Sequence, residues 1–198
     1  MRSTMMDVAL TTAGILRHGS TVHGAATVRT LQPDGSVKVG TFAEVGRRSA
    51  QLANALRECG VTGDDRVATF MWNNQEHVEA YCAVPSMGAV LHTLNLRLTA
   101  DQIIYIANHA DDQVVIVDGS VVPLLAPVLP QLAAVHTVVV TGGVDLTPLR
   151  RDGLTVVGYE DFIAGQPETF DWPDLDERSA AAMCYTSGTT GNPKGVAY

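Results

Sequence analysis

Four short apolar segments, separated by stretches of helical periodicity, constrain the fold of this chain more than any other feature. They cover residues 66–71, 89–93, 114–117 and 136–141. None alternates apolar and polar residues, as a strand with one solvent-facing side would. Continuous apolar strands are buried on both faces, as in parallel sheets covered by helices. The sequence therefore predicts an α/β fold with a largely parallel sheet and flanking helices.

Helix boundaries are marked between these segments. Thr41 with Glu44, and Thr99 with Gln102, have the spacing of a capping box. Apolar residues at three-and-four spacing follow each pair. We expect helices that start after Thr41, after Thr99 and near residue 74, a proline-punctuated helix over about 121–133, and a short one near 159–164.

Turn and composition signals divide the chain into three parts. Pro33-Asp34-Gly35 lies between two β-rich segments and predicts a hairpin. Prolines, glycines and acidic residues make 142–178 a looser surface segment, and residues from 180 onward resume as a strand. The expected division is an N-terminal segment with the hairpin over 1–40, an α/β subdomain over 41–178, and a strand–loop–strand unit over 179–198.

Composition narrows the class of protein. The 198 residues are 46% hydrophobic with a net charge of −8, which suits a sizeable core and argues against nucleic acid as a partner. Cys59, Cys82 and Cys184 are widely spaced, which predicts free thiols in a reducing compartment. No apolar run approaches the roughly 18 residues of a membrane span. We expect a cytoplasmic protein and leave peripheral membrane contact open.

Isolated polar and aromatic residues are expected to have structural roles rather than catalytic or metal-binding ones. The histidines do not pair with Cys, Asp or Glu at metal spacing. His77 is expected on a helix surface, isolated carboxylates in turns, and the Gly142-Gly143 pair in a loop. Trp72 and Tyr81 flank a helix and are expected in the core.

The segment 186–195 has the residue types that hold phosphate. Glycines let backbone N–H groups approach an anion, hydroxyls donate to its oxygens or ligate magnesium, and a lysine adds charge. Pro193 stiffens the turn before the lysine. A surface turn rich in glycine and hydroxyls is the plain alternative. The predicted phosphate contacts are Thr186, Ser187, Gly188, Thr189, Thr190, Gly191 and Lys194.

This loop does not follow the Walker pattern G-x-x-x-x-G-K-[ST]. Pro193 precedes Lys194 and Gly195 follows it. The next residues, Val196-Ala197, indicate a second strand rather than a helix. The helix dipole that supports phosphate in a Walker site is therefore expected to be missing.

The segment Tyr185–Gly195 resembles the AMP-binding signature of the adenylate-forming superfamily. Residues 63–68 and 83–93, with Asn95-Leu-Arg-Leu98, are similar to its medium- and long-chain fatty acyl-CoA ligase branch, as is the opening 3–7. Leu96 departs from the proline that many relatives carry there, which we expect to alter a turn only. Essentially the whole chain is covered.

The resemblance implies a ligase that uses ATP, Mg²⁺ and coenzyme A. A fatty acid carboxylate attacks the α-phosphorus of ATP, and coenzyme A then displaces AMP from the acyl-adenylate. The loop is implied to hold the β- and γ-phosphates, with Thr186 as the hydroxyl nearest magnesium. Homodimer formation, frequent among such ligases, stays open.

The resemblance also implies that the chain is an incomplete, N-terminal subdomain of this fold. The adenine- and ribose-binding residues and the catalytic lysine of the family lie after its signature, so no catalytic residue is expected within residues 1–198. We expect the chain alone to be catalytically incompetent. Another acyl-, aryl- or amino-acid-adenylating enzyme and a truncated, non-catalytic product are the alternatives.

Overall fold

The computed structural model describes residues 1, 3–6, 8–186 and 191–198, and shows helices packed on both faces of one large sheet. The helices are α1 Thr12–Val22, α2 Phe42–Glu58, α3 Gln75–Ser86, α4 Ala100–Ala110, α5 Val122–Leu125 and α6 Tyr159–Ile163. The strands are β1 Thr27–Leu31, β2 Val37–Thr41, β3 Arg66–Phe70, β4 Val90–Thr93, β5 Asp112–Asp118, β6 Thr137–Thr141, β7 Thr155–Gly158, β8 Ala182–Tyr185 and β9 Gly195–Ala197.

The large sheet has the order β7-β6-β5-β3-β4-β8-β9. Every neighbouring pair is parallel except β8 and β9, which are antiparallel. The chain winds outward from β3 in both directions, so the strand order changes direction between β3 and β5. The predicted α/β fold with a largely parallel sheet is confirmed.

Two apolar cores, one on each face of the sheet, explain why the strands lack alternation. Val115 and Val117 of β5 pack on the side of α4 and α5, whereas Val114 and Ile116 pack on the side of α2, α3 and α6. All four side chains are fully buried. A polar side chain at any of these positions would lose its contact with water, so the residues on both faces of the strand must be apolar.

The expected caps and the hairpin are present. The Thr41 Oγ1 accepts a hydrogen bond from the Glu44 N–H at 3.2 Å, and the Thr99 N–H donates to Gln102 Oε1 at 3.2 Å. Strands β1 and β2 pair antiparallel around Gly35, whose φ of +83° suits a residue without a Cβ. Helices α2 and α4 therefore begin where the sequence predicts them.

Three local predictions are wrong or incomplete. The single helix expected over 121–133 is instead the one-turn α5, with short 3-10 turns before and after it. Pro127, two residues after α5 ends, explains the break, because it lacks an N–H and its ring clashes with the preceding turn of an α-helix. The segment 142–178 is more ordered than expected, since β7 within it extends the sheet. Helix α1, capped by Thr11, was not predicted.

Glu79 lies at the centre of a polar network that joins three helices. Its buried carboxylate accepts hydrogen bonds from Arg48 Nε at 2.7 Å, Gln75 Nε2 at 2.9 Å and the Tyr159 hydroxyl at 2.7 Å. Arg48 also forms a double hydrogen bond with Glu160. Burial raises the pKa of Glu79 and the pKa of Tyr159. The network links α2, α3 and α6. The expectation that isolated carboxylates lie in turns is wrong for Asp112, which is buried in β5.

The expectations for three residues around α3 are also wrong. His77 is only 8% exposed, and its Nδ1 and Nε2 lie 3.2 Å from the Trp72 carbonyl and 3.0 Å from Thr69 Oγ1. Trp72 is 54% and Tyr81 47% exposed rather than in the core. Trp72 follows the end of β3, where the sheet no longer covers it, and its indole N–H donates to Ser120 Oγ at 3.2 Å.

The three cysteines are free and partly buried, as expected. Within the described ranges, no helix combines the length and hydropathy that crossing a bilayer requires. The same residues contain no group of three or more His, Cys, Asp or Glu side chains placed to share a metal ion.

We predict that Tyr159→Phe lowers the free energy of unfolding by about 2 kcal/mol, because the variant removes a hydrogen bond to a buried carboxylate. Urea unfolding followed by circular dichroism measures the difference. Tyr81→Phe is the matched control, since no hydrogen bond of its hydroxyl is seen in the described part of the chain; it should change stability by less than about 0.5 kcal/mol. Equal stabilities of Tyr159→Phe and wild type would contradict the role of the network.

The burial of His77 predicts a pH-dependent component of stability. Desolvation lowers the pKa of His77 in the folded state, so the unfolded chain binds the proton more readily. This component is fully present above the ordinary histidine pKa of about 6.5 and is lost as the pH falls below it.

Comparing wild type with His77→Gln in urea at about pH 8 and about pH 5 tests this prediction. The wild type should lose more stability than the variant on acidification, and the exposed His23→Gln control should behave like wild type. An identical pH dependence of wild type and His77→Gln would refute the assignment.

Candidate phosphate-binding loop

The two ends of the segment between β8 and β9 are held together, and we call these ends, residues 185–186 and 194–195, the neck of the loop. Tyr185 pairs with Gly195 in the antiparallel register of the two strands. The Thr186 N–H donates to the Lys194 carbonyl at 3.0 Å, and the Lys194 N–H donates to Thr186 Oγ1 at 3.3 Å. The loop thus leads into a strand, as expected, and two further hydrogen bonds hold its ends together.

The structure describes three of the seven predicted phosphate contacts. Thr186, Gly191 and Lys194 are all exposed, while Pro193 is buried beside them. No salt bridge of Lys194 is found within the residues described. An exposed ammonium group at the loop neck is available to an anion. Ser187, Gly188, Thr189 and Thr190 lie outside the described residues.

The loop follows the carboxyl end of β8, and β8 runs parallel to β4, β3 and β5. The loop therefore leaves the same edge of the sheet as the carboxyl ends of those strands. In open α/β sheets, ligands bind outside this edge. The position of the loop agrees with a binding role.

Thr186 is chemically suited to the magnesium-side role predicted for it. Its exposed Oγ1 accepts one hydrogen bond, from Lys194, and an oxygen has a second lone pair. Mg²⁺ binds oxygen ligands and usually keeps several waters while it contacts phosphate. A hydroxyl beside a phosphate loop fits that pattern.

Below the neck, the Tyr185 side chain lies among three residues that sequence reasoning missed. Its hydroxyl is 2.6 Å from His109 Nδ1, and its ring centroid is 5.2 Å from that of His92. His92 Nδ1 in turn lies 2.8 Å from Asp112 Oδ1. Burial raises the pKa of Tyr185 above its ordinary value, so the hydroxyl keeps its proton at neutral pH.

His92 and Asp112 form a fully buried polar pair between β4 and β5. The His92 Nε2 has no hydrogen-bond partner among the described residues. Burial raises the pKa of Asp112. Buried polar groups need a hydrogen-bond partner. A histidine and an aspartate within otherwise apolar strand segments were therefore the one signal in the sequence that could have indicated this pair.

Known proteins resemble this chain in sequence and in fold. A sequence profile of the AMP-binding enzyme family matches residues 16–198. The chain is 40% identical over 199 residues to a 3-methylmercaptopropionyl-CoA ligase of Ruegeria pomeroyi and to a medium-chain-fatty-acid–CoA ligase of Ectopseudomonas oleovorans. It is also 40% identical over 196 residues to a long-chain-fatty-acid–CoA ligase of Thermus thermophilus.

These alignments cover 99–100% of the chain but only 34–36% of each relative, so the chain spans about a third of their length. Among solved structures, the anthranilate CoA ligase AuaEII in complex with anthranoyl-AMP superposes with a TM-score of 0.83 at 25% identity. That superposition covers 100% of this chain and 36% of the ligase. The sheet and helices described above match the N-terminal subdomain of adenylate-forming enzymes, and the chain belongs to the AMP-binding enzyme family.

Proposed function

We propose that this chain is the N-terminal part of an ATP-dependent fatty acid–CoA ligase. A fatty acid carboxylate oxygen attacks the α-phosphorus of ATP, which gives acyl-adenylate and releases pyrophosphate. The coenzyme A thiolate then attacks the acyl carbon and releases AMP. The loop that joins β8 to β9, with an exposed Lys194 at its neck, is the observation that carries this proposal.

The loop serves the first step as a grip on the β- and γ-phosphates. Lys194 neutralises negative charge that grows as pyrophosphate leaves, and hydroxyls and backbone N–H groups donate to its oxygens. The contacts are Thr186, Ser187, Gly188, Thr189, Thr190, Gly191 and Lys194. A Mg²⁺ ion held beside Thr186 would supply further charge neutralisation.

The loop is suited to release as well as to capture. It leads into β9 rather than into a helix, so no helix N-terminus adds its dipole to the site. Charge neutralisation then depends on one mobile side chain and on hydrogen-bond donors. Pyrophosphate must leave before coenzyme A completes the reaction, and a site without a helix dipole lets it go more readily.

A short thioether acid is the second candidate substrate. The relative named for 3-methylmercaptopropionyl-CoA is as similar to this chain as the relatives named for medium- and long-chain fatty acids. Comparing 3-methylmercaptopropionate with octanoate and palmitate, on a protein that carries this chain together with the remaining two thirds found in its relatives, decides between them.

We also propose that residues 1–198 alone do not complete adenylation. The matched relatives are nearly three times as long as the chain. The loop grips only the pyrophosphate half of ATP, and rate enhancement in such a transfer depends on positioning the carboxylate against the α-phosphorus.

We predict that Lys194→Ala weakens the binding of magnesium pyrophosphate about tenfold, because it removes a charge-assisted contact worth ~1.5 kcal/mol. Isothermal titration of the chain with pyrophosphate and Mg²⁺ measures the affinity. Lys38, on the hairpin strand β2, is the only other lysine in the chain, and its Nζ lies 2.9 Å from Glu76 Oε1 of α3. Lys38→Ala makes the same charge change elsewhere and should leave affinity unaltered. Equal affinities of both variants would refute the assignment.

A single-turnover experiment tests the catalytic limit. The chain is mixed with ATP, Mg²⁺ and octanoate, and acyl-adenylate is detected by mass spectrometry. We expect no product above the level of the Lys194→Ala variant, since the carboxylate is not positioned by this chain. Acyl-adenylate clearly above that level would show that the chain is catalytically competent by itself.

A further inference from the structure

We propose that Tyr185 and His109 act as positioning residues that lock the neck of the phosphate loop, an inference that rests on the function proposed above. Tyr185 is the last residue of β8, and its side chain contacts both the opposite end of the loop and helix α4. The side chain therefore ties the β8–β9 pair, which backbone hydrogen bonds already join, to α4.

The first contact is across the neck. A Cβ added at Gly195 would lie 3.1 Å from Tyr185 Cζ and 3.2 and 3.3 Å from two further atoms of the tyrosyl group. These distances are shorter than ordinary van der Waals contact, so the ring lies directly on the Gly195 backbone. Since Gly195 directly follows Lys194, the ring limits how far the lysine end of the loop can move.

The second contact ties the neck to a rigid helix. The Tyr185 hydroxyl is 2.6 Å from Nδ1 of His109, in the last turn of α4. Helix α4 is anchored by the buried Ile103 and Ile106. His109 is held in turn by Tyr105, one turn earlier, whose ring stacks on the imidazole with centroids 5.4 Å apart.

The third contact supports the ring from the sheet. The His92 ring lies 5.2 Å from Tyr185, and Asp112 orients His92 through its Nδ1. Both residues are fully buried and cannot turn away from the ring without exposing a polar group to apolar surroundings. Tyr185 is thus held by β4 on its face and by α4 at its hydroxyl.

The consequence for binding is pre-organisation. The Thr186 and Lys194 amides form the two hydrogen bonds of the neck, and both residues are proposed ligand contacts. A neck that is already closed before the ligand arrives does not lose that conformational freedom on binding. Losing the Tyr185–His109 hydrogen bond should therefore weaken pyrophosphate binding without weakening the fold.

The test measures the neck and the ligand separately. Amide hydrogen exchange, followed by NMR, reports on the Thr186 and Lys194 N–H groups, isothermal titration reports on magnesium pyrophosphate, and thermal unfolding reports on the fold. Tyr185→Phe keeps the ring and removes the hydroxyl. Tyr105→Phe is the matched control, because it also contacts His109 but its hydroxyl has no hydrogen bond in the part of the chain described.

We expect Tyr185→Phe to speed exchange at both amides, and to weaken pyrophosphate binding, by about fivefold each, the size of effect of one hydrogen bond. The melting temperature should stay within about 2 °C of wild type, and Tyr105→Phe should change none of the three quantities. His109→Ala should reproduce the effect, and the double variant should add little to either single one, because both remove the same interaction.

Unchanged exchange at Thr186 and Lys194 in Tyr185→Phe overturns the inference. Faster exchange along the whole of β8 with a lower melting temperature also overturns it, because that result describes a general loss of structure. If Tyr185→Phe binds pyrophosphate as tightly as wild type, the inference is overturned while the proposed function of the loop stands. If wild type binds no pyrophosphate at all, the proposed function of the loop fails, and the ligand part of the inference fails with it.

Gly195→Ala is a second, independent variant. The added methyl group must displace the Tyr185 ring, so it should speed exchange at the same two amides without removing the hydroxyl. Gly63→Ala, outside the loop, is its control, because the nearest heavy atom to the added Cβ is the Gly88 carbonyl oxygen at 3.8 Å. Equal exchange rates in Gly195→Ala and wild type would contradict the contact across the neck.

Discussion

Burial of the central strands on both faces is the constraint on which the rest of the structure depends. Strand β5 has fully buried side chains toward α4 and α5 and toward α2, α3 and α6. Helices must therefore cover each face, and the chain can provide them only by crossing over after each strand. Those crossovers make the strands parallel and bring their carboxyl ends to one edge. The loop that joins β8 to β9 starts from this edge.

Glu79 and Asp112 are buried carboxylates inside this apolar frame, and the topology brings hydrogen-bond partners to both. Glu79 accepts hydrogen bonds from three side chains on α2, α3 and α6, and Asp112 receives one from His92. Buried carboxylates are costly unless they are hydrogen-bonded, so such residues discriminate against alternative packings of the same helices. Burial raises the pKa of both carboxyl groups, because the apolar interior disfavours their charged forms.

Local signals predicted the frame of the fold well. The apolar runs marked β3, β4, β5 and β6, and the caps at Thr41 and Thr99 marked the starts of α2 and α4. Short elements were harder, because β7 has four residues and α5 one turn, and their stability comes from neighbours in space. The same limit applied to His77, which looks like a surface residue beside two glutamates until the fold places it against Thr69.

The candidate site was predictable in part. The glycines, hydroxyls and Lys194 of the loop form a contiguous motif, so the sequence alone predicts a phosphate-binding loop. His92, His109 and Asp112 are not contiguous with it; α4 and the sheet bring them near Tyr185. The periodicity of apolar residues predicts which strand or helix carries each of these three side chains, but it does not predict which of them are in contact. Interactions between elements distant in sequence are what the structure adds.

The close approach of the Tyr185 ring to Gly195 has a consequence for how this loop can diverge. The space above residue 195 is already filled by the aromatic ring, so a side chain can enter only where position 185 carries something smaller. The two positions are neighbours across an antiparallel pair and ten residues apart in the chain. Their substitutions should therefore be correlated in related sequences: an aromatic residue at one goes with glycine at the other, and a larger residue at the second goes with loss of the ring at the first.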